Sequence, residues 1–158
     1  MKPFRLLFVC TGNTCRSPMA ELLARRHARN RGLSGISATS AGTAAGEGAP
    51  ASAPARAVAL AHGGSLESHR SRGLTAERIE EADLIVVMTD RHARFVSQLD
   101  PRAVVILATS VLPDGHPARG TDVPDPFNAG LAEYERTWDS ISVCVEALLD
   151  RIARQRGD

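Results

Sequence analysis

Short apolar runs alternate along the chain with segments whose apolar residues have helical spacing. Phe4 to Cys10, Leu84 to Met88 and Val104 to Leu107 are typical of strands buried on both faces of a parallel sheet, and Ile36 to Thr39 is a weaker fourth. Helical spacing follows Ser17 and recurs near Pro54 to Ala61, Thr75 to Ala82 and Arg91 to Leu99. We therefore predict one domain over residues 1–158, a three-layer α/β fold in which helices flank a four-stranded parallel sheet.

The last helix has the clearest pattern. Its apolar residues recur every three or four positions on one stripe, at Leu131, Tyr134, Trp138, Ile141, Val145, Leu148 and Ile152. The stripe predicts packing against the sheet, so the two aromatic residues are assigned to the core rather than to a ligand platform. Cys144 lies beside the stripe and is expected to be an inert buried thiol.

Two segments lack the pattern of helix or strand. Ser40 to Ser52 is rich in glycine and alanine, and Leu112 to Gly130 contains four prolines. The second segment is long for a connection within a compact domain, and such loops are usually functional lids or disordered insertions. It also contains Asp125-Pro126-Phe127.

Residues 10–17, called the phosphate loop below, join the first predicted strand to the first predicted helix. The stretch from Cys10 to Ser17 reads Cys-Thr-Gly-Asn-Thr-Cys-Arg-Ser, so it includes Thr11, Gly12, Asn13, Thr14, Cys15 and Arg16. Pro18 suits the first helical position, which makes Ser17 the expected N-cap. Gly12 and Asn13 tolerate positive φ, so the loop can turn its backbone N–H groups towards one centre and bind a tetrahedral oxyanion.

Cys10 and Arg16 have complementary uses in such a loop. The backbone dipoles and the guanidinium favour an ionised sulfur, which predicts a nucleophile. The planar fork of Arg16 matches two phosphoryl oxygens and can follow them into the transition state. Thiolate attack on phosphorus also needs a general acid. The long segment Leu112 to Gly130 offers three candidates, Asp114, Asp122 and Asp125.

Composition excludes several other functions. With 19 basic and 18 acidic residues, the formal charge of +1 provides no broad field for nucleic acid or an anionic membrane surface. The apolar run from Leu6 to Cys10 is too short for a signal-peptide core, and three cysteines do not form a dense disulfide framework, so we expect a cytoplasmic protein. We expect no cofactor and no metal. The histidines at positions 27, 62, 69, 92 and 116 show no ligand spacing or accompanying carboxylate cluster and are assigned to surface or loop positions.

The phosphate loop resembles the signature of the low-molecular-weight protein tyrosine phosphatases, and the similarity extends over essentially the whole chain. Ser40-Ala41-Gly42-Thr43 resembles the family's loop after the second strand, and Asp125-Pro126 matches its acid loop. The resemblance implies that Asp125 is the acid. It also implies that Asn13 keeps the loop in a strained shape, with support from Ser17, Ser40 and His69.

Thr14 and Phe127 carry the prediction of the substrate. Tyrosine phosphatases of this type usually have an aliphatic residue at position 14 and two aromatic residues after Asp-Pro, whereas this chain has Thr14 and then Phe127-Asn128. The loop is similar to that of the bacterial protein arginine phosphatases, as is Met88-Thr89. The resemblance implies an enzyme that releases inorganic phosphate from phosphoarginine in protein substrates through a phosphocysteine intermediate, with phosphotyrosine as the alternative. We expect the protein to be a monomer.

Three further activities are weighed against this one. A thioredoxin-linked arsenate reductase needs two resolving cysteines on a later segment, where this chain has only Cys144. A phosphocysteine carrier has no use for Arg16 or Asp125, and retention of nucleophile, arginine and acid together disfavours a silent phosphate-binding module.

Cys15 could form a reversible disulfide with Cys10, but a packed thiol is as good an interpretation.

Overall fold

The four strands form one parallel sheet in the computed structural model, which describes residues 2–158. They are β1 (Phe4–Cys10), β2 (Ile36–Gly42), β3 (Leu84–Val87) and β4 (Val105–Leu107), in the spatial order β2-β1-β3-β4. β1 pairs with β2 from Phe4↔Ile36 onward and with β3 from Leu6↔Leu84 onward. The prediction of a four-stranded parallel sheet is confirmed.

In the described part of the chain, five α-helices and one 3₁₀ turn connect and cover the strands. They are α1 (Arg16–Asn30), α2 (Ala53–Ala61), α3 (Ala76–Glu81), α4 (Asp90–Leu99), the 3₁₀ turn Ala108–Val111 and α5 (Leu131–Arg156). Alternate residues of β1 enter two separate cores, because successive side chains of a strand point to opposite faces. Leu6 and Phe8 pack with α1, α2 and α5, whereas Leu7 and Val9 pack with α3 and α4. This arrangement gives the predicted three layers.

The topology places a ligand site at the carboxyl end of β1. The chain leaves β1 towards β2 on one side, and the next strand to be added, β3, lies on the other side of β1. Open parallel sheets bind ligands at such a switch point, in the crevice beyond the carboxyl ends of the strands. The phosphate loop begins at this end of β1.

Two sequence predictions about these elements are wrong. β2 continues to Gly42 instead of ending at Thr39, because Ser40 and Ala41 are buried and pair with Phe8 and Val9. The small residues that suggested a loop allow close packing, and a Cβ at Gly42 would collide with the backbone oxygen of Thr11. The stripe of α5 is buried from Tyr134 to Ile152, but Leu131 is 55% exposed because it begins the helix beyond the core.

The long segment 112–130 contains turns but neither helix nor strand, as predicted. Its middle is attached to the sheet by backbone bonds, since the Val123 N–H donates to the Met88 carbonyl at 2.8 Å. Thr109 Oγ1 also donates to the carbonyl of Thr121 at 2.6 Å. Within residues 2–158, none of the helices combines the length and apolar character needed to cross a membrane.

Candidate active site

The phosphate loop turns sharply between β1 and α1. Asn13 has a φ of +55°, a conformation that asparagine tolerates better than most residues. Ser17 is not the N-cap that the sequence predicted, because α1 already begins at Arg16 with Cys15 as its cap. Ser17 lies inside the first turn, fully buried, and its Oγ is 2.8 Å from Cys10 Sγ.

Asn13 is the centre of a buried hydrogen-bond network. Its side-chain amide donates to Ser17 Oγ at 2.8 Å and to Ser40 Oγ at 3.0 Å, while its Oδ1 accepts the backbone N–H of Arg72. His69 Nε2 lies 2.8 Å from the Asn13 carbonyl oxygen. Because Asn13 supplies a hydrogen to Ser17 Oγ, the hydroxyl hydrogen of Ser17 is available to the sulfur of Cys10. The structure thus brings together the three predicted supporting residues around Asn13.

Arg16 links the phosphate loop to the acid loop, which we define as residues 123–130. Its side chain is 4% exposed, and its Nη1 donates to the Val123 carbonyl at 3.0 Å. Nη2 lies 3.5 Å from Asp125 Oδ2 and 3.5 Å from Thr11 Oγ1. The buried Nε finds no acceptor among residues 2–158. The edge formed by Nε and Nη2 therefore remains available for a bidentate contact with an oxyanion.

Asp125 lies at the mouth of a cavity of about 350 Å³. Pro124 and Pro126 flank it, and its Oδ1 accepts the backbone N–H of Phe127 at 3.1 Å. The cavity is lined by the phosphate loop, by several small residues and by the acid loop. The lining residues are Cys10, Thr11, Gly12, Thr14, Cys15, Arg16, Ala44, Gly46, Ala49, Ser71, Asp125 and Phe127. Of the three candidate acids, Asp125 is the one that lines the cavity and faces Arg16.

Tyr134 contacts the phosphate loop, although the sequence assigned it only to the core. Its hydroxyl lies 3.2 Å from Cys15 Sγ and 3.4 Å from Ser52 Oγ, and the Ser52 backbone N–H donates to the Thr14 carbonyl. Burial, followed by the contact with Cys15, raises the pKa of Tyr134 to about 12. A tyrosine in place of a phenylalanine on an apolar stripe was the signal of this polar contact. The Cys10–Cys15 disulfide stays a prediction.

His92 is a site residue that the sequence analysis missed. It was assigned to the surface or a loop, but it is 2% exposed beneath the phosphate loop, and its Nε2 lies 2.9 Å from Thr11 Oγ1. Thr89 and His92 form a capping box at the start of α4. Burial, and then the positive charge of Arg16, lowers the pKa of His92 to about 4. The pattern Thr-x-x-His after a predicted strand was the available signal.

A second histidine prediction is also wrong, because His62 does accompany carboxylates. Its Nε2 lies 2.8 Å from Glu135 Oε2, and Asp139 completes a group of three exposed or half-buried side chains. The end of α2 packs against α5, where Glu135 and Asp139 are one turn apart on the same face, so sequence spacing could not show this cluster. Burial, by contrast, raises the pKa of Cys144 to about 11, as suits the inert thiol that was expected.

This site belongs to a class of thiol phosphatases, as comparison with known proteins shows. The family described as low molecular weight phosphotyrosine protein phosphatase matches residues 5–157. The chain belongs to that family.

Relatives in the family have two different names. A protein-arginine-phosphatase of Geobacillus stearothermophilus is 37% identical over 97% of this chain and 96% of its own length. The low molecular weight protein-tyrosine-phosphatase Etp of Escherichia coli (strain K12) is 33% identical over 94% of this chain and 95% of its own. Among solved structures, the YwlE arginine phosphatase from Geobacillus stearothermophilus has a TM-score of 0.84 and 34% identity, covering 98% of this chain and 96% of that one. The phosphatase class is common to both names.

Proposed function

We propose that this protein hydrolyses phosphoarginine in protein substrates through a phosphocysteine intermediate. The observation that carries the proposal is that Thr14 lines the cavity together with Cys10, Arg16 and Asp125. An apolar side chain in place of Thr14 would suit an aromatic leaving group, whereas the threonine hydroxyl suits a polar one. The arginine phosphatase relative at 37% identity supports it. Phosphorylated proteins of the cytoplasm are the expected substrates.

Cys10 is the proposed nucleophile. It ends the central strand β1, where the Ser17 hydroxyl can donate to its sulfur, and Arg16 lines the same cavity. A hydroxyl donor and a positive charge in the same site both favour a nucleophilic sulfur. The thiolate attacks phosphorus, the P–N bond breaks, and a phosphocysteine forms at Cys10.

Arg16 is the proposed transition-state ligand. Nη1 is held by the Val123 carbonyl and Nε has no acceptor, while Nη2 contacts Asp125 and Thr11 only at 3.5 Å, so the edge formed by Nε and Nη2 can receive two phosphoryl oxygens. A buried guanidinium in this position interacts more strongly with the developing charge than one in water would. The bond to Val123 fixes the guanidinium plane before substrate arrives.

Asp125 is the proposed general acid and base. It donates its proton to the departing guanidine nitrogen, and its carboxylate then takes a proton from the water that attacks the phosphocysteine. The second step breaks the P–S bond, releases inorganic phosphate and regenerates the thiolate. The 49% exposure of the Asp125 side chain lets it exchange protons with solvent between turnovers.

Thr14 and Phe127 are the proposed selectivity residues. The Thr14 hydroxyl can hydrogen-bond to a polar leaving group, and Phe127 can stack on a planar guanidinium. Asn128, at the position of the second aromatic residue, does not line the cavity, whose other lining residues include the small Ala44, Gly46 and Ala49. Phosphotyrosine is the second candidate, since Phe127 also suits an aryl ring and relatives named tyrosine phosphatases are similar to this chain.

The substrate assignment is tested by measuring kcat/KM for phosphoarginine and phosphotyrosine peptides with the parent and with Thr14→Val and Thr14→Ile. Valine keeps the shape of threonine without its hydroxyl, so the preference for phosphoarginine should fall by about tenfold or more. Thr39→Val is the matched control, because Thr39 lies on the exposed face of the edge strand β2. A parent that strongly prefers phosphotyrosine, with a ratio unchanged by either substitution, would refute the assignment.

A further inference from the structure

The junction of β3 and α4, residues 88–92, contacts both loops that border the cavity. This segment, called the 88–92 turn below, includes the first three residues of α4. On one side, His92 Nε2 lies 2.9 Å from Thr11 Oγ1 of the phosphate loop. On the other, Met88 accepts the backbone N–H of Val123 at 2.8 Å, and the Asp90 N–H donates to Asp122 Oδ1 at 2.9 Å. The 88–92 turn therefore joins the phosphate loop to the beginning of the acid loop.

The direction of the His92 hydrogen bond follows from its other ring nitrogen. The Thr89 backbone N–H donates to His92 Nδ1 at 3.1 Å, so Nδ1 carries a lone pair. With its lowered pKa the ring is neutral near pH 7, so its single proton lies on Nε2. Nε2 must then donate to Thr11 Oγ1.

Thr11 transmits this contact to the reacting groups. It directly follows Cys10, lines the cavity, and has its Oγ1 3.5 Å from Arg16 Nη2. Because His92 occupies one lone pair of Oγ1 and Arg16 approaches it as well, the hydroxyl hydrogen of Thr11 is left to point away from both donors. The orientation of Thr11 is thus set by a residue 81 positions further along the chain.

We infer that His92 is a positioning residue of the phosphatase site. Through Thr11 Oγ1 it fixes the first residue after the nucleophile and one side of the Arg16 guanidinium. The turn that carries it also holds Val123 and Asp122, so it sets the separation of the phosphate loop and Asp125. This inference rests on the proposed phosphatase mechanism but not on the choice between phosphoarginine and phosphotyrosine.

A purely structural role is the alternative, because His92 also belongs to the capping box of α4. Loss of a helix cap costs about 0.5–2 kcal/mol of stability and would not by itself change catalysis. The two roles separate at Thr11, since the cap needs only Nδ1 and the phosphate loop contacts only Nε2.

The experiment is a double-mutant cycle with His92→Asn and Thr11→Val, assayed with an aryl phosphate and with inorganic phosphate as competitive inhibitor. In the first variant, the amide oxygen of the introduced asparagine can replace Nδ1 at the cap, but the side chain is too short to replace Nε2. We expect His92→Asn to lower kcat by about tenfold and to weaken phosphate inhibition, and to have no further effect in the Thr11→Val background. Equal losses in both backgrounds would overturn the inference.

A matched control separates positioning from lost stability. Thr75→Ala removes the side-chain cap of α3, which accepts the Arg78 N–H at 3.2 Å, and should lower stability without changing kcat. If His92→Asn does not fold, Thr11→Val and Thr11→Ser carry the test. Valine should reproduce the tenfold loss and serine should restore activity, whereas parental activity in both variants would refute the inference. Hydrolysis of the aryl phosphate alone, without phosphoarginine turnover, would refute only the proposed substrate.

Discussion

The phosphate loop and the acid loop border the same cavity, but they are held in different ways. Asn13 is fully buried and uses both its amide nitrogen and its amide oxygen within the protein, and Arg16 is nearly buried beside it. In the acid loop, Asp125 and Phe127 are largely exposed, and the loop is fixed mainly at Val123. In the proposed mechanism, the residues that bind phosphate are therefore held in place by burial, whereas the residues proposed to meet the rest of the substrate remain accessible.

The difference explains why the two loops should respond differently to substitution. When one member of a buried hydrogen-bond network is removed, a desolvated polar group is left without its partner. Both the stability and the activity should therefore fall. An exposed carboxylate loses little stability when it is replaced, so its loss should affect mainly turnover. The predictions below use this contrast, from the largest expected effect to the smallest.

Cys10→Ser should abolish turnover while leaving the fold intact, because a hydroxyl is a far weaker nucleophile at neutral pH than a stabilised thiolate. Circular dichroism and steady-state assays check both parts. Cys144→Ala is the control, since Cys144 is a core residue of α5 and should not be needed for activity. Residual turnover near the parental rate in Cys10→Ser would contradict the mechanism.

Asp125→Asn should lower kcat by about 10²- to 10⁴-fold with little change in stability. Asparagine keeps the oxygen that accepts the Phe127 N–H, so the turn is preserved and only the transferable proton is lost. Asp114→Asn is the matched control in the same long segment, where the carboxylate pairs with Arg119. Steady-state kinetics that show equal losses in both variants would contradict the assignment of the acid.

Acid should destabilise the protein through His92. Its pKa lies near 4 in the folded state, below the ordinary 6.5, because burial and Arg16 oppose protonation. As the pH falls, His92 therefore becomes protonated in the unfolded chain before it does in the folded protein. The stability that this difference contributes is present above pH 6.5 and is lost as the pH falls towards 4. The shift corresponds to about 3 kcal/mol in the free energy of unfolding. Urea unfolding at pH 7 and pH 4 should show a smaller pH effect for His92→Asn than for the parent.

Tyr134→Phe should cost about 1 kcal/mol of stability, because it removes one hydroxyl that contacts Cys15 and Ser52 while keeping the ring in the core. The effect on kcat should be small, since the Ser52 N–H still holds the Thr14 carbonyl. Denaturant midpoints measure the change. A large fall in kcat without loss of stability would show that Tyr134 does more than support the loop.

Much of the site could be predicted because its chemistry is local. Cys10 and Arg16 are six positions apart between a buried strand and a helix, a spacing that a phosphate loop requires. The sheet was also predictable, since three of its strands are short apolar runs, interrupted only by Arg5 in β1. β2 was underestimated because Ser40 and Gly42 are buried by close packing, which their composition does not reveal.

What the sequence could not show are contacts between distant segments. His92 reaches Thr11 across 81 positions, and Tyr134 reaches Cys15 across 119. Ser17 was misassigned for a different reason: serine is a common N-cap, but the Cys10 and Asn13 contacts draw it into the first turn of α1. For Ser17, these hydrogen bonds overrode the local preference of serine for the capping position.

The most direct test of the account is rapid-quench detection of phosphate on the Cys10 peptide. Phosphoarginine and phosphotyrosine peptides of otherwise the same sequence are mixed with the protein separately at equal concentration, and Cys10→Ala, which has no nucleophilic atom at this position, is the blank. The account predicts a phosphorylated Cys10 peptide that forms faster from phosphoarginine. Phosphorylation of the Cys10 peptide by the phosphotyrosine peptide alone, or phosphate on a residue other than Cys10, would contradict it.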